Sequence, residues 1–425
     1  MKNVIIVGLL LLNSTAFIGL IVDENVTQIN MTIRGDAHAQ LMWGVIDCLL
    51  ITFCFFHGRQ FVRVASRQPL ILAFVGWAAL SLAWSEDPQL TARRVLGLIC
   101  TTAMGFVLGM KLDMKALLRL LVWSMAIAML ASVIAAVLFP SFGVMANLDA
   151  GAWRGVFTHK NELGHSMGIA LIVLICLLWE SRQNRSMYLI LLFLGVALIV
   201  LSKSVTSIIV TVLTLSIGLY RRLRLRPAHR VAFLATALLV GLAATVLLQS
   251  RVDSVFAMMG RNSTLTGRVP VWQLSADAVL QRPLLGSGWD AFWPGIGGDR
   301  IRSLVHWDVP HAHNGFLEMS LNIGLIGLVI FMICNFDCFR RAARWSNDPS
   351  EPFRLWPLLY YSYTFLFFFT EAPAVDRHTL SFVLFCAISV SMTEAPRMEA
   401  LTHEQEDGYM PSGIASDSSM LQESP

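Results

Sequence analysis

The sequence predicts an all-α, polytopic integral membrane protein of about twelve spans. Three observations predict it. Only 14% of the 425 residues are charged and 56% are hydrophobic, whereas a soluble chain carries about a quarter charged residues. Mean hydropathy is +0.63. Apolar runs near the ~20 residues that a helix needs to cross a bilayer recur along the chain.

These runs fall at 4–22, 41–56, 69–84, 92–110, 116–139, 162–179, 187–202, 205–220, 231–249, 315–336, 355–371 and 376–393. The first follows Lys2, has no small-residue cleavage site after it, and reads as a signal anchor. The second and third are short. Loop charge orients the rest, because basic loops stay in the cytoplasm. The basic set is "HGRQFVRVASRQ", "KLDMK", "ESRQNRS", "RRLRLRPAHR" and "RRAARWSNDPSEPFR". The alternate set, "DENVTQINMTIRGDAHAQ", "SEDPQ", "EAPAVD" and the long 250–314 segment, is acidic or mixed and belongs outside. Both termini are then cytoplasmic. Residues 1–393 form the membrane domain, and the polar Ser/Glu-rich tail 394–425 is expected to be disordered. The net charge of +4 is small, the bilayer is the obvious surroundings, and no nucleic-acid partner is expected.

All seven cysteines lie in or at the ends of apolar runs, with no CxxC, and read as packing residues. The 250–314 loop carries six arginines, no lysine and four tryptophans. Its tryptophans argue for order, and "VPVWQLSADAVLQ" suits a short amphipathic helix on the membrane surface.

Four polar clusters fall on the outer face. "WRGVFTHKNELGHS" brings Arg154, His159, Lys160 and Asn161 to the start of the sixth run. "LSKSVTS" places Lys203 in a minimal link between two runs. Either it snorkels to the surface, or its ammonium lines an outward-open cavity that holds an anion. "GRNSTLTGRVPVW" carries Arg261 and Arg268, whose planar guanidiniums suit phosphate oxygens or lipid headgroups. Beyond it, the glycines of "PLLGSGWDAF" make either a phosphate nest or a plain tight turn. "HAHNGFLE" at 311–318 crowds His311, His313, Asn314 and Glu318 at the mouth of an apolar run, with His306 and Asp308 just before. Metal ligation is one reading, although HxH alone is a weak zinc signal with no clearly spaced third ligand. A helix-start role is another. The third is an imidazole that takes a proton from a hydroxyl nucleophile, with Asn314 and Glu318 orienting sugar hydroxyls or the ring itself. Together the clusters suit an anionic, lipid-linked substrate handled on the outer face.

Six pieces, in order, resemble the O-antigen ligase and polymerase superfamily of bacterial inner membranes, and its ExoQ-type exopolysaccharide branch most. They are "SLAWSEDP" at 81–88, "GVFTHKNELG" at 155–164, "LSKSVTS" at 201–207, "STLTGRVPVW" at 263–272, "PLLGSGWDAF" at 283–292 and "HAHNGFLEMSLNIGLIGL" at 311–328. The resemblance implies a metal-independent, inverting, membrane-embedded glycosyltransferase of GT-C-like architecture, with no cofactor. It implies an undecaprenyl-diphosphate-linked oligosaccharide as donor, and a flippase and chain-length or export proteins of a polysaccharide pathway as partners. It maps diphosphate binding onto Arg268 and the catalytic histidine onto His313, with His311 beside it. Where many relatives carry arginine in the "S-basic-S" turn, this chain has Lys203, which keeps the charge and loses the bidentate fork. A polymerase and an O-antigen-type ligase share this chemistry. A lipid-linked-sugar transporter is the rival of another class, and it predicts repeated halves and broken helices near mid-membrane. No repeat is visible, and the polar clusters gather at one face.

Overall fold

The computed structural model describes residues 2–18, 37–146, 149–180, 183–223, 268–305, 308–347, 351–371 and 377–407. The ninth apolar run, Arg261 and His306 lie outside the described residues. Each of the other eleven runs carries a helix. Before the long loop these are α1 (Lys2–Asn13), α2 (Ala37–Phe56), α3 (Gly58–Ala65), α4 (Pro69–Leu80), α5 (Pro88–Lys111), α6 (Met114–Leu138), α7 (Lys160–Glu180), α8 (Arg185–Leu201) and α9 (Val205–Leu223). The loop contributes α10 (Arg268–Gln281) and α11 (Ile296–Val305), and α12 (Gly315–Trp345), α13 (Trp356–Phe368) and α14 (Leu380–Asp407) follow. Among the described residues there is no strand, only an isolated bridge between Val144 and Trp153.

Among the described residues, six helices can cross a membrane by length and apolarity: α2, α5, α6, α7, α9 and α12. Counting α3 and α4, bent by 95°, as one broken span makes seven. The apolar runs suggest twelve spans, but several helices are shorter than their runs. The 13 residues of α13 extend only about 20 Å against a hydrocarbon core of about 30 Å. The last helix runs on to Asp407, past the expected domain boundary at 393.

The two sets of loops separate as their charges predict. One end of the bundle is tied by Arg67–Glu394 (2.6 Å), Lys115–Glu180 (2.8 Å) and Arg221–Asn347 (2.7 Å), which join the basic loops to one another and to the start of the C-terminal tail. The other end gathers the alternate loops. There Thr15 Oγ1 donates to Glu162, Glu86 N to Ser287 O, and Arg268 pairs with Glu371. In the bundle, α14 lies along α5, and α7 packs between α8 and α9.

One break shapes the site end. Gly324 has φ 69° and ψ 179°, inside α12. Phe316 and Phe331 both lie against Phe368, with ring centroids 5.0 and 5.4 Å away. In a straight helix those two residues would be about 22 Å apart, so α12 is folded at Gly324. Residues 325–345 suffice for about 31 Å of helix, the thickness of the hydrocarbon core. The first half, 315–323, stays at the site end. Opening a helix orphans backbone groups, which are costly away from water. Here the 283–288 loop satisfies them. Ser287 N donates to Leu321 O (2.9 Å), Gly288 N to Asn322 O (2.8 Å) and Leu325 N to Pro283 O (2.8 Å), and Trp77 Nε1 donates to Ile323 O (3.0 Å). The glycines of "PLLGSGWDAF" thus form a plug of the broken helix. Their N–H groups are already bonded within the protein, which rules against a phosphate nest.

A Cβ at Gly324 would lie 2.0 Å from Leu284 O, in a backbone region that only glycine adopts comfortably. Gly324→Ala is therefore expected to destabilise the detergent-solubilised protein by about 3 kcal/mol or more, from overpacking and strain together. Gly76→Ala on α4, with open space around the new Cβ, is the control and should be neutral or slightly stabilising. Equal melting temperatures for the two variants would refute the break as a structural constraint.

Candidate functional site

The site begins where the sequence places it. Asn314 caps α12, its Oδ1 accepting from Phe316 N (3.0 Å) and Leu317 N (3.1 Å). A capping asparagine satisfies helix-terminal N–H groups, so here its carbonyl oxygen serves the fold rather than sugar hydroxyls. The residue before it, His313, has φ +49°, a left-handed conformation costly for a non-glycine residue. That turn brings the rings of His311 and His313 to 4.1 Å. The backbone N–H of His313 donates to His311 Nδ1 (3.2 Å), so the neutral His311 ring carries its proton on Nε2. Burial, and then the neighbouring His313, push the His311 pKa down to about 3.

Glu318 was expected to face substrate. It is instead turned inward, accepting from Trp293 Nε1 (2.8 Å), Ala312 N (2.8 Å) and Asn322 Nδ2 (3.1 Å). The Ala312 contact reaches back from the first turns of α12 to the link between the two histidines. Glu318 thus fixes the turn that aims them.

The centre of the cluster is a residue that the sequence reading passed over. Glu371 lies three residues past the end of α13 and is 5% exposed. Its Oε2 meets His313 Nδ1 at 2.9 Å. Its Oε1 accepts from Arg268 Nη2 (2.7 Å) and Asn161 Nδ2 (2.9 Å). Arg268 also donates to Thr370 O (2.9 Å). Burial alone would raise the Glu371 pKa. The hydrogen bond from His313 and the charges of His313 and Arg268 outweigh it and hold the carboxyl well below its usual range. Its signal was available: it is an acid at the very end of an apolar run, in the same loop set as Arg268 and His313.

Next to this cluster stand His159 and Lys160. Asp149 pairs with Lys160 at 2.5 Å and with His159 at 3.7 Å. Burial opposes its ionisation, yet these partners hold its pKa at about 2. The exposed Lys203 reaches Ala150 O (3.5 Å), beside the same acid. It therefore sits at the rim of the site. Arg154 points elsewhere, to Phe142 O (2.6 Å) and the face of the Phe142 ring, and burial lowers its pKa. It braces the turn Pro140–Gly143.

His311, His313 and Glu371 could offer three donors to a metal, all within 4.8 Å of one another. The fit is poor. Both Glu371 oxygens and His311 Nδ1 already serve protein donors, and the cation Arg268 stands 2.7 Å from the carboxylate. The arrangement suits proton transfer better. A carboxylate receiving Nδ1–H of a histidine makes Nε2 the basic nitrogen of the ring.

A helical membrane bundle with cationic residues and an oriented histidine at one end is the class that fold and site define. The O-antigen ligase family model matches residues 190–332, the stretch that holds Lys203, Arg268, His311 and His313. Over 300 residues the chain is 28% identical to the exopolysaccharide production protein ExoQ of Rhizobium meliloti (strain 1021), covering 66% of this chain and 67% of that protein. This is thus a membrane protein that is similar to the O-antigen ligase family over residues 190–332 and to ExoQ over 300 residues. A chain from the structure described as "Structural coordination of polymerization and crosslinking by a peptidoglycan synthase complex" aligns with TM-score 0.46 and 16% identity, covering 77% of this chain and 96% of that one.

Because His311 is lowered in the folded state, the unfolded chain takes up a proton below its ordinary value near 6.5, while the folded chain does not until about pH 3. Its contribution is therefore fully present above pH 6.5 and lost as the pH falls through that window. The melting temperature is expected to drop between pH 7 and pH 5, and to drop less in His311→Gln. Parallel pH profiles for the two proteins would contradict this assignment.

Proposed function

We propose that the protein is a glycan polymerase of the bacterial inner membrane. It joins undecaprenyl-diphosphate-linked oligosaccharide units into exopolysaccharide at the histidine-bearing end of the bundle, which faces the periplasm. The observation that carries this reading is the Arg268–Glu371–His313 cluster beside Lys160 and Lys203, within a chain similar to ExoQ and matched by the O-antigen ligase family.

The chemistry follows from these groups. An acceptor sugar hydroxyl gives its proton to His313 Nε2, and Glu371 stabilises the imidazolium that forms. The hydroxyl oxygen attacks the anomeric carbon of the donor sugar from the face opposite the diphosphate. A new glycosidic C–O bond forms as the C–O bond to the diphosphate breaks, and the configuration inverts. The leaving diphosphate takes the electron pair. Arg268, with Lys203 and Lys160, offsets the charge that develops on it. No strong general acid is needed, because a charge-neutralised diphosphate leaves readily. His313 later returns its proton to water.

A ligase would use the same groups with a different acceptor, such as lipid A-core. The transporter reading is less well supported, although α12 is broken. A carrier opens a helix to present bare backbone to its cargo, and here loop 283–288 and Trp77 occupy the carbonyls of Leu321, Asn322 and Ile323.

Purified protein, lipid-linked repeat units and a gel readout of polymer length test the proposal. His313→Ala should lower the transfer rate by about 10²–10⁴-fold, the usual effect of losing a base, while donor lipid still binds. Arg268→Ala should abolish product, and Arg268→Lys should recover little because the bidentate fork is lost. Wild-type activity should be unchanged in EDTA. Zinc-restored activity after chelation would make the histidines metal ligands, and full activity of His313→Ala would remove the base. In cells, a deletion that accumulates single repeat units on lipid supports polymerase. Accumulated lipid-linked polymer would mean ligase.

A further inference from the structure

The loop that plugs the break in α12 has a second face. Leu284 and Leu285 are 58% and 40% exposed, although their backbone carbonyls are held, Leu284 O by Ile326 N of α12 and Leu285 O by Trp84 Nε1. Large exposed aliphatic side chains in an ordered loop need a partner. Here the neighbours indicate which. Pro283 O and Leu284 O accept from Leu325 N and Ile326 N, the first residues of the membrane-crossing half of α12. Leu325 and Ile326 are themselves exposed, on a helix that is long and apolar enough to span. Leu80 and Leu82 are also exposed, at the end of α4. Trp84 Nε1 donates to Leu285 O (2.9 Å), and Trp84 lies 5.4 Å from Trp77, which reaches Ile323 O. The apolar surface of the loop is therefore continuous with the lipid-facing surface of two membrane helices, and two tryptophans line it.

Its polar edge is equally defined. Arg282 pairs with Glu86 at 3.1 Å, both part-exposed, two positions before Leu284. Glu86 N donates to Ser287 O (2.9 Å). Charges on one side, leucines on the other and tryptophans between are the order found at a bilayer interface.

We propose that residues 282–286 are an interfacial wedge seated in the bilayer leaflet at the site end of the bundle. Arg282 lies at headgroup level, and Leu284 and Leu285 lie among the acyl chains. The partner is the phospholipid leaflet. The wedge is fixed to the first half of α12, so it sets the height of the His311–His313 turn above the hydrocarbon. The catalytic groups then meet a phosphate-bearing lipid at its own headgroup plane.

Single cysteines at 284, 285 and 299 test this in the full-length protein with its seven native cysteines replaced by serine or alanine, with that cysteine-free protein as the blank. Asp299 is 73% exposed on α11 and serves as the aqueous control. An impermeant maleimide is applied to spheroplasts and, separately, to inverted vesicles, then again after unfolding in SDS. Asp299→Cys should label from one side only. Leu284→Cys and Leu285→Cys should label at least about tenfold more slowly from both sides, since an apolar environment suppresses the thiolate, and fully in SDS. A spin label at 284 in nanodiscs should collide with oxygen more than with a nickel chelate. Leu284→Cys labelling as fast as Asp299→Cys, or a nickel-accessible spin label, overturns the wedge. None of these readouts needs glycan transfer. Loss of the polymerase reading would leave them unchanged, and a reversed orientation would change only the side from which residue 299 labels.

Discussion

Glu371 is a carboxylate held almost entirely away from water between a histidine, an arginine and an asparagine from three other parts of the chain. An unpaired buried carboxylate is costly, and losing one partner of a buried pair costs about 3–5 kcal/mol. The start of α7, the start of α10, the turn before α12 and the end of α13 are thereby tied to one point. The site end of the bundle is organised around that charge. This arrangement keeps Glu371 ionised and fixes the positions of the His313 ring and the Arg268 guanidinium.

The second constraint is the fold in α12. An unbroken helix of 31 residues would carry its first turns well beyond a bilayer. Folding at Gly324 lays those turns across the top of the bundle, where Glu318 can reach both Trp293 and the backbone between the histidines. Loop 283–288 completes the backbone pairing that the break interrupts. Two segments that look like separate motifs in the chain are thus one structural unit, and the histidine turn is built on it.

Together these features separate the charged cluster from the polar residues that hold backbone in place. Arg268 pairs directly with Glu371, Lys160 stands beside the cluster with Lys203 at its rim, and Glu371 orients the His313 ring. Asn314, Glu318 and Arg154 hold backbone in place. His311 stays neutral through burial beside His313 and supports the turn. A guanidinium and an imidazole meet on a single carboxylate, which couples their positions.

Much of this was legible in the chain itself. Hydropathy and loop charge are local properties, so the helices, their alternation between two ends, and the start of α12 at "HAHN" followed from the sequence alone. So did the candidacy of Arg268 and His313, through motif order and residue type. Tertiary structure decided the rest, because it depends on which loops of one end touch. Glu371 is separated by 58, 103 and 210 residues from its partners His313, Arg268 and Asn161. No periodicity records such pairings. The sequence likewise showed Gly286, Gly288 and Gly324 as glycines, but not that the first two fill the gap opened by the third. Asn314 and Glu318 carry groups equally suited to sugars or to backbone. Only the closeness of Phe316, Ala312 and Trp293 settles that they bond inward, since a buried polar group bonds to whichever partner the fold brings within reach.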